Sequence, residues 1–180
     1  MDGSYFSGVL QLHEAHALKV PDRDAKISFG LVRIANIGTA VKVAAFLANK
    51  LPQARVVCYH SQHFSIQRFH IEQRLDELLS RAKGDNHFWK DAEIIKAIGI
   101  NENAGLLETP FIVVATPVEE IGRDHDFDWA VIEPSSVQSI VQTAGRVNRH
   151  RLVSFSQPNI ALLQFNFRAI RGLTPVFTRP

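Results

Sequence analysis

The chain has 180 residues, of which 46% are hydrophobic and 21% are charged, and its formal net charge is +2. This composition is ordinary for a globular protein and excludes a largely disordered chain. The net charge is too small to indicate nucleic-acid or membrane binding on its own. The single cysteine, Cys58, excludes an intrachain disulfide and a thiolate metal cage, and it favours a cytoplasmic location. No apolar run approaches the roughly 20 residues of a membrane span, so no membrane partner is expected.

Strand-like and helix-like segments alternate along the chain after an opening stretch that has no clear pattern. We interpret residues 1–26 as a leading segment or linker. Apolar, β-branched runs and helical spacing then predict the following elements: a strand at 27–36, a helix at 39–50, a strand at 55–60, helices at 65–82 and 91–98, strands at 110–116 and 129–133, a helix at 135–149 and a strand at 159–165.

This alternation predicts one α/β domain over residues 27–167, doubly wound, with a mostly parallel sheet and helices on both faces. Residues 168–180 form a sparse basic tail that we expect to lead to a further domain. Sheets of this kind bind ligands beyond the carboxyl ends of their strands. The residues that follow the predicted strands are therefore candidates for function: Asn36, His60, Thr116 and Pro134.

The predicted helix at 135–149 contains all but the last two residues of the stretch VQTAGRVNRHR at 141–151. At about 100° per residue, Gln142, Arg146 and Arg149 fall on one face. We expect the opposite face to pack on the sheet, and it carries the apolar residues Val137, Ile140, Val141, Ala144 and Val147. Two convergent guanidinium groups suit a polyphosphate, since they are permanently charged forks that match phosphate oxygens. The alternative is an exposed basic stripe.

The loop after the most strand-like segment is acidic, with carboxylates at Glu119, Glu120, Asp124, Asp126 and Asp128. They could hold a ribose hydroxyl, or they could hold the arginines of the next strand-helix unit in place; the alternative is an acidic surface loop. Thr116 lies where a hydroxyl and a backbone N–H could meet a phosphate, and Gly122 permits a tight turn. The pair His125–Asp126 has no further converging ligands, so no metal site is expected.

These segments resemble a known family. The pattern Q-x-x-G-R-x-x-R at 142–149 is similar to motif VI of superfamily 2 helicases, and A-T-x-x-x-E-x-G-x-D-x-D at 115–126 is similar to their motif V. Residues 32–47 and 56–64 stand in the positions of motifs IV and IVa. Over residues 27–165 the chain therefore resembles the second RecA-like domain of the CRISPR-associated helicase-nuclease of type I systems. The sequence of its motif VI is most similar to that of subtype I-F.

The resemblance implies an ATP site between two RecA-like domains. Arg149 and Arg146 would be the arginine fingers that act on the γ-phosphate, and Gln142 would line the same face. Gly122 and Asp124 would border the nucleotide. ATP and Mg²⁺ would be held mainly by the first RecA-like domain.

The resemblance also implies partners. Thr116, His60, Ser61 and Asn36 would contact the backbone of single-stranded DNA, as suits a motor that is indifferent to sequence. The other partners would be the first RecA-like domain and the CRISPR surveillance complex. The activity implied for the full-length protein is that of an ATP-dependent DNA helicase.

Two features depart from the family pattern. Pro117 stands where many relatives have glutamine, which removes a side-chain donor and a backbone N–H. The chain also has no G-x-x-x-x-G-K-[ST] phosphate loop, so it holds at most half of an ATPase site and is expected to be inactive alone. Two alternatives remain open: a stand-alone nucleotide- or protein-binding domain without catalysis, and a nucleotide-dependent transferase. The transferase should have a glycine-rich turn after its first strand, and ANIGTA at 35–40 matches that poorly.

Overall fold

The structure, a computed structural model, describes residues 4–82, 84–85, 87–120, 124–151, 154 and 156–174. Within these residues the strands, in chain order, are β1 (Leu18–Lys19), β2 (Lys26–Arg33), β3 (Arg55–Tyr59), β4 (Glu108–Ala115), β5 (Trp129–Ile132) and β6 (Ile160–Leu162). The helices are α1 (Ser4–His16), α2 (Ile37–Lys50), α3 (Ser65–Leu79), α4 (Ala92–Asn103), α5 (Val137–Ala144) and α6 (Phe167–Ile170). Two 3-10 helices span Phe88–Lys90 and Pro117–Glu120.

The strands form one sheet in the order β3-β4-β2-β5-β6, and every pair along this path is parallel. The two-residue strand β1 pairs with the start of β2 and is antiparallel to it. The central pair, β2 and β4, is in register from Lys26↔Glu108 to Arg33↔Ala115. Long apolar strands in the middle of a parallel sheet are buried on both faces, as the uninterrupted apolar run of β4 predicts.

Helices cover both faces of this sheet, which confirms the predicted doubly wound α/β fold. Side chains such as Phe29 and Leu31 point to the face that holds α3 and α4, whereas Val32 and Trp129 point to the face that holds α1 and α2. Gly30 makes room for the indole on that second face, because a Cβ at this position would lie 2.1 Å from the Trp129 ring. Among the helices of the described residues, none combines the length and hydropathy that crossing a bilayer requires.

The amino-terminal residues correct the expectation of a leading segment or linker over 1–26. Residues 4–16 form α1, and its side chains Tyr5, Val9 and Leu12 are buried in the same core cluster as Val131 of β5. Their spacing of four and then three residues places them on one helical face, which the sheet covers. The helix is therefore an integral layer of the domain. At the other end, the predicted basic tail at 168–180 starts within α6, and residues 175–180 lie outside the described range.

Candidate nucleotide and nucleic-acid site

The helix that carries the first part of the arginine motif is shorter than predicted. It begins after Ser136, whose hydroxyl accepts a hydrogen bond from the Ser139 N–H at 3.1 Å, and it ends at Ala144. Gln142 lies on this helix and is exposed, whereas Arg146 and Arg149 follow it in a loop. The prediction that all three side chains share one helical face over 135–149 is therefore wrong.

Tertiary contacts explain why the helix stops. The Phe127 N–H donates to the Arg146 carbonyl at 2.8 Å, and the Asn148 N–H donates to the Phe127 carbonyl at 2.9 Å, so that Val147 pairs with Phe127 in a parallel bridge. Asn148 has a φ of 50°, a left-handed conformation that ends a helical run. Hydrogen bonds to a neighbouring segment thus replace those that would have continued the helix.

The predicted apolar face of this helix is also wrong. Val137 is 79% exposed and Val141 is 64% exposed, whereas Ser139 and Thr143 are buried. The buried hydroxyl of Thr143 is accommodated because it donates to the Ser139 carbonyl at 2.8 Å. Of the five apolar positions, Val147 is buried and Ile140 packs partly against the core.

A buried carboxylate, Asp126, fixes the loop that carries the arginines. It is fully buried, and its two oxygens accept the backbone N–H groups of Arg149 and His150 at 3.0 and 3.1 Å. The Arg151 guanidinium also donates to it, at 2.8 Å through Nη2. Of the two roles left open for the acidic loop, Asp126 has the second: it holds the following arginine segment in place.

A second buried carboxylate, Asp128, connects this loop to the sheet. It accepts the Phe29 N–H of β2 at 2.7 Å and pairs with both Arg151 and the buried Arg81. Although burial alone would lower the pKa of Arg81, the carboxylates of Asp85 and Asp128 raise it above its ordinary value. Sequence reasoning assigned no role to Arg81 or Arg151. The signal that the sequence offered for these contacts was the alternation of aspartates at 124, 126 and 128, together with a basic segment of similar length later in the chain.

Arg149 and Arg146 differ in their surroundings. The Arg149 side chain is 39% exposed, and its Nε lies 3.0 Å from the exposed carboxylate of Asp124. Arg146 is buried, and both burial and the nearby Arg149 charge lower its pKa. The pKa of Asp124 is lowered in turn, chiefly by the hydrogen bond from His150. Gly122, the other predicted nucleotide contact, lies outside the described residues.

The predicted DNA contacts follow three adjacent strands. Thr116 comes directly after β4, and its N–H donates to the carbonyl of Tyr59 on β3 at 3.1 Å, which brings it beside His60 and Ser61. Asn36 lies three residues beyond β2, at the start of α2, and its side chain makes no capping bond. Ser61 and Asn36 are exposed, whereas Thr116 is only 4% exposed.

His60 is half-buried and its ring stacks on that of His63, with centroids 3.9 Å apart. Burial and the neighbouring His63 lower the pKa of His60. Its Nδ1 is buried and makes no hydrogen bond with the described part of the chain. His60 is therefore a neutral ring that stacks on His63 at the carboxyl edge of the sheet. No cluster of three or more metal-ligating side chains occurs among the residues described.

This combination of a RecA-like sheet, an arginine loop after α5 and a polar carboxyl edge agrees with the sequence comparison. Residues 26–152 match the family described as "CRISPR-associated nuclease/helicase Cas3, C-terminal". The chain belongs to this family. Two Cas3 proteins of subtype I-F/YPEST show the likeness over almost the whole chain. The protein from Pseudomonas aeruginosa is 40% identical over 99% of this chain, and the one from Pectobacterium atrosepticum is 42% identical over 94%.

The chain spans only about a sixth of these Cas3 relatives, 16% and 15% of their lengths. Solved structures of T. fusca Cas3 share its fold. One without a named nucleotide matches with a TM-score of 0.60 over 91% of this chain and 16% of that one, at 18% identity. A structure of T. fusca Cas3 with ATP matches with a TM-score of 0.58 over the same fractions, at 19% identity. The predicted RecA-like helicase fold and the predicted family are thus confirmed.

Proposed function

We propose that this chain is the second RecA-like half of an ATP-dependent motor that translocates on single-stranded DNA in CRISPR interference. In this proposal a first RecA-like domain holds ATP and Mg²⁺, and this chain supplies Arg149 and Arg146 to the γ-phosphate. The chain alone is then inactive. The full-length protein would work in the cytoplasm with the CRISPR surveillance complex.

The observation that supports the proposal is that the charges of Arg146 and Arg149 are close enough to interact, on a loop whose backbone is held by hydrogen bonds. Burial and the Arg149 charge lower the pKa of Arg146, whereas Glu119 and Asp124 act in the opposite direction. An anionic ligand such as a triphosphate would relieve the repulsion between the two arginines. The hydrogen bonds from Arg149 and His150 to Asp126 keep the loop in place before a ligand arrives, as electrostatic stabilisation of a transferring phosphoryl group requires.

No step of metal chemistry is assigned to this chain. The described residues contain no converging set of carboxylates for Mg²⁺. Two acidic side chains near the arginines, Asp124 and Asp126, are already engaged with His150, Arg149 and Arg151. The metal belongs with the phosphate loop that this sequence lacks. In this proposal the chain positions the positive charge of the arginines, because its residues hold the arginine loop in place. The other domain binds the nucleotide.

The carboxyl edge of the sheet supports the DNA part of the proposal. His60 and Thr116 lie together there, with the exposed Ser61 beside them. These groups are hydroxyls, backbone N–H groups and a neutral ring, and they suit contacts to a phosphate backbone better than the reading of bases.

The test is ATP hydrolysis by the full-length protein with Arg149→Ala. We expect turnover to fall by about 10³-fold or more, as when an arginine finger is removed, with nucleotide binding largely retained. Arg23→Ala is the matched control, since the Arg23 side chain is 41% exposed and pairs with one carboxylate, Glu102, at 2.7 Å. Normal turnover in Arg149→Ala would refute the finger role. Nucleotide binding without any hydrolysis by the unmutated protein would favour the alternative, a binding domain without catalysis.

A further inference from the structure

His125 is completely buried between two carboxylates that come from separate segments. Its Nδ1 is bonded to Glu119 of the 3-10 helix Pro117–Glu120, and its Nε2 lies 2.8 Å from the Asp76 carboxylate of α3. The edge of the ring packs against Phe127, with the two ring planes at 89°. The pair His125–Asp126, which the sequence suggested only as part of an acidic loop, thus lies at a junction of three segments.

Both ring nitrogens of His125 are used at this junction, one toward each carboxyl group. Hydrogen bonds that involve charged groups are about twice as strong as neutral ones, so the ring can hold the two segments together. Glu119 is 1% exposed, and its other oxygen makes no hydrogen bond with the described residues, so the bond to His125 fixes its orientation.

Each carboxylate belongs to an element that starts at the carboxyl edge of the sheet. Glu119 is only three residues beyond Thr116, and its N–H donates to the Thr116 carbonyl at 3.1 Å. Asp76 lies on α3, which begins a few residues after His60 and Ser61 and runs without interruption for 15 residues, a length of about 22 Å. Both sides of the His125 contact are thus continuous with the edge where we place the DNA.

The far end of α3 is attached to the loop that holds the arginines. The Asp126 N–H donates to the carbonyl of Leu79, the last residue of the helix, at 3.0 Å. The Asp126 side chain holds the backbone N–H groups of Arg149 and His150. Movement of α3 would therefore be transmitted to the arginine loop through residues 125 and 126.

We propose that His125 is a positioning residue that couples the DNA-facing edge to the arginine loop, by clamping α3 and the 3-10 helix Pro117–Glu120 to Asp126. This inference rests on the proposed function. DNA that shifts α3 or Thr116 would shift Asp126, and with it the backbone of Arg149. Loss of the clamp would uncouple DNA binding from hydrolysis and leave each site intact.

The experiment compares basal and DNA-stimulated ATP hydrolysis in the full-length protein with Asp76→Asn. This substitution keeps the shape of the side chain and removes the charge that faces His125. We expect basal turnover to stay at the unmutated level and the stimulation by oligo-dT to fall about five-fold or more, a typical size for coupling between sites. The matched control is Glu77→Gln, which removes the same charge one residue later, where the half-exposed carboxylate contacts Arg74 and Gln73 of the same helix.

Stimulation that is unchanged in Asp76→Asn would overturn the inference and leave the proposed function standing. An unmutated protein whose hydrolysis does not respond to single-stranded DNA would instead refute the proposed function, and this coupling with it.

Discussion

Replacing Asp126 by alanine should be one of the most damaging substitutions in this domain. The side chain is fully buried, and its removal deprives the N–H groups of Arg149 and His150 of their acceptor. It also removes one of the two carboxylates that pair with Arg151, whose side chain is 9% exposed. Breaking a buried ion pair from one side costs about 3–5 kcal/mol.

The low end of that range is expected here, because Arg151 keeps Asp128 and the Phe127 carbonyl as partners. We therefore predict a loss of about 3 kcal/mol in the free energy of unfolding, and a melting temperature lower by about 6–12 °C for a chain of this length. Urea unfolding followed by circular dichroism measures the first quantity, and a thermal melt measures the second.

The matched control is Asp124→Ala, two residues away in the same loop. The Asp124 side chain is 58% exposed, although it too contacts Arg149 and His150. An exposed pair is worth about 0–1 kcal/mol, so this variant should unfold almost as the unmutated chain does. If Asp126→Ala were no more destabilising than Asp124→Ala, the claim that the buried carboxylate organises the loop would be refuted.

Three further predictions concern other parts of the molecule. Gly30→Ala should destabilise the chain by about 3 kcal/mol or more in urea unfolding, because its Cβ would collide with Trp129, whereas Gly99→Ala, in α4 with nothing within 4 Å, should stabilise it by about 0.5–1 kcal/mol. Equal changes in the free energy of unfolding for Gly30→Ala and Gly99→Ala would contradict the close packing of residue 30 against Trp129. Asp91 caps α4, and the hydrogen bond from Arg74 holds the pKa of its carboxyl below the ordinary value of 3.8. The stabilisation that the Asp91 carboxylate contributes is therefore complete at a pH above its ordinary pKa, and it is lost as the pH falls through the lowered pKa of the folded state. Asp91→Ala should cost about 1 kcal/mol at pH 6 and much less near pH 2 in urea unfolding, and a loss that stays constant with pH would be evidence against this cap. Thr116→Val in the full-length protein should weaken binding to oligo-dT and oligo-dA by the same factor in fluorescence anisotropy, and a loss confined to one sequence would argue for a base contact.

The sequence predicts those strands and helices whose apolar pattern is contained within a single segment. The apolar runs in β2 and β4 predict buried parallel strands because a parallel sheet covered on both faces excludes polar side chains from its centre. The order β3-β4-β2-β5-β6 is not encoded in any single segment and was not predicted. Helix α1 was missed because the histidines His13 and His16 interrupt its apolar face, although Tyr5, Val9 and Leu12 have helical spacing.

The candidate site shows a similar division. Its residues could be named from motif spacing, but their geometry depends on tertiary bonds. Periodicity extended the helix as far as Arg149, and the Phe127–Val147 bridge ends it at Ala144 instead. The same periodicity placed Val137 and Val141 in the core, where Ser139 and Thr143 lie instead. No sequence pattern reports that Asp126 binds backbone groups, since the bond depends on a segment more than 20 residues away.

The binding of Asp126 to backbone N–H groups has a practical consequence. Asp126 holds Arg149 and His150 by their N–H groups, so residue 149 can be changed without removing a bond that shapes the loop. Arg149→Ala should therefore leave the loop folded while it removes the guanidinium. If the proposed function holds, this makes the full-length variant a suitable trap, in which bound ATP would persist long enough for a closed arrangement of the two domains to be captured.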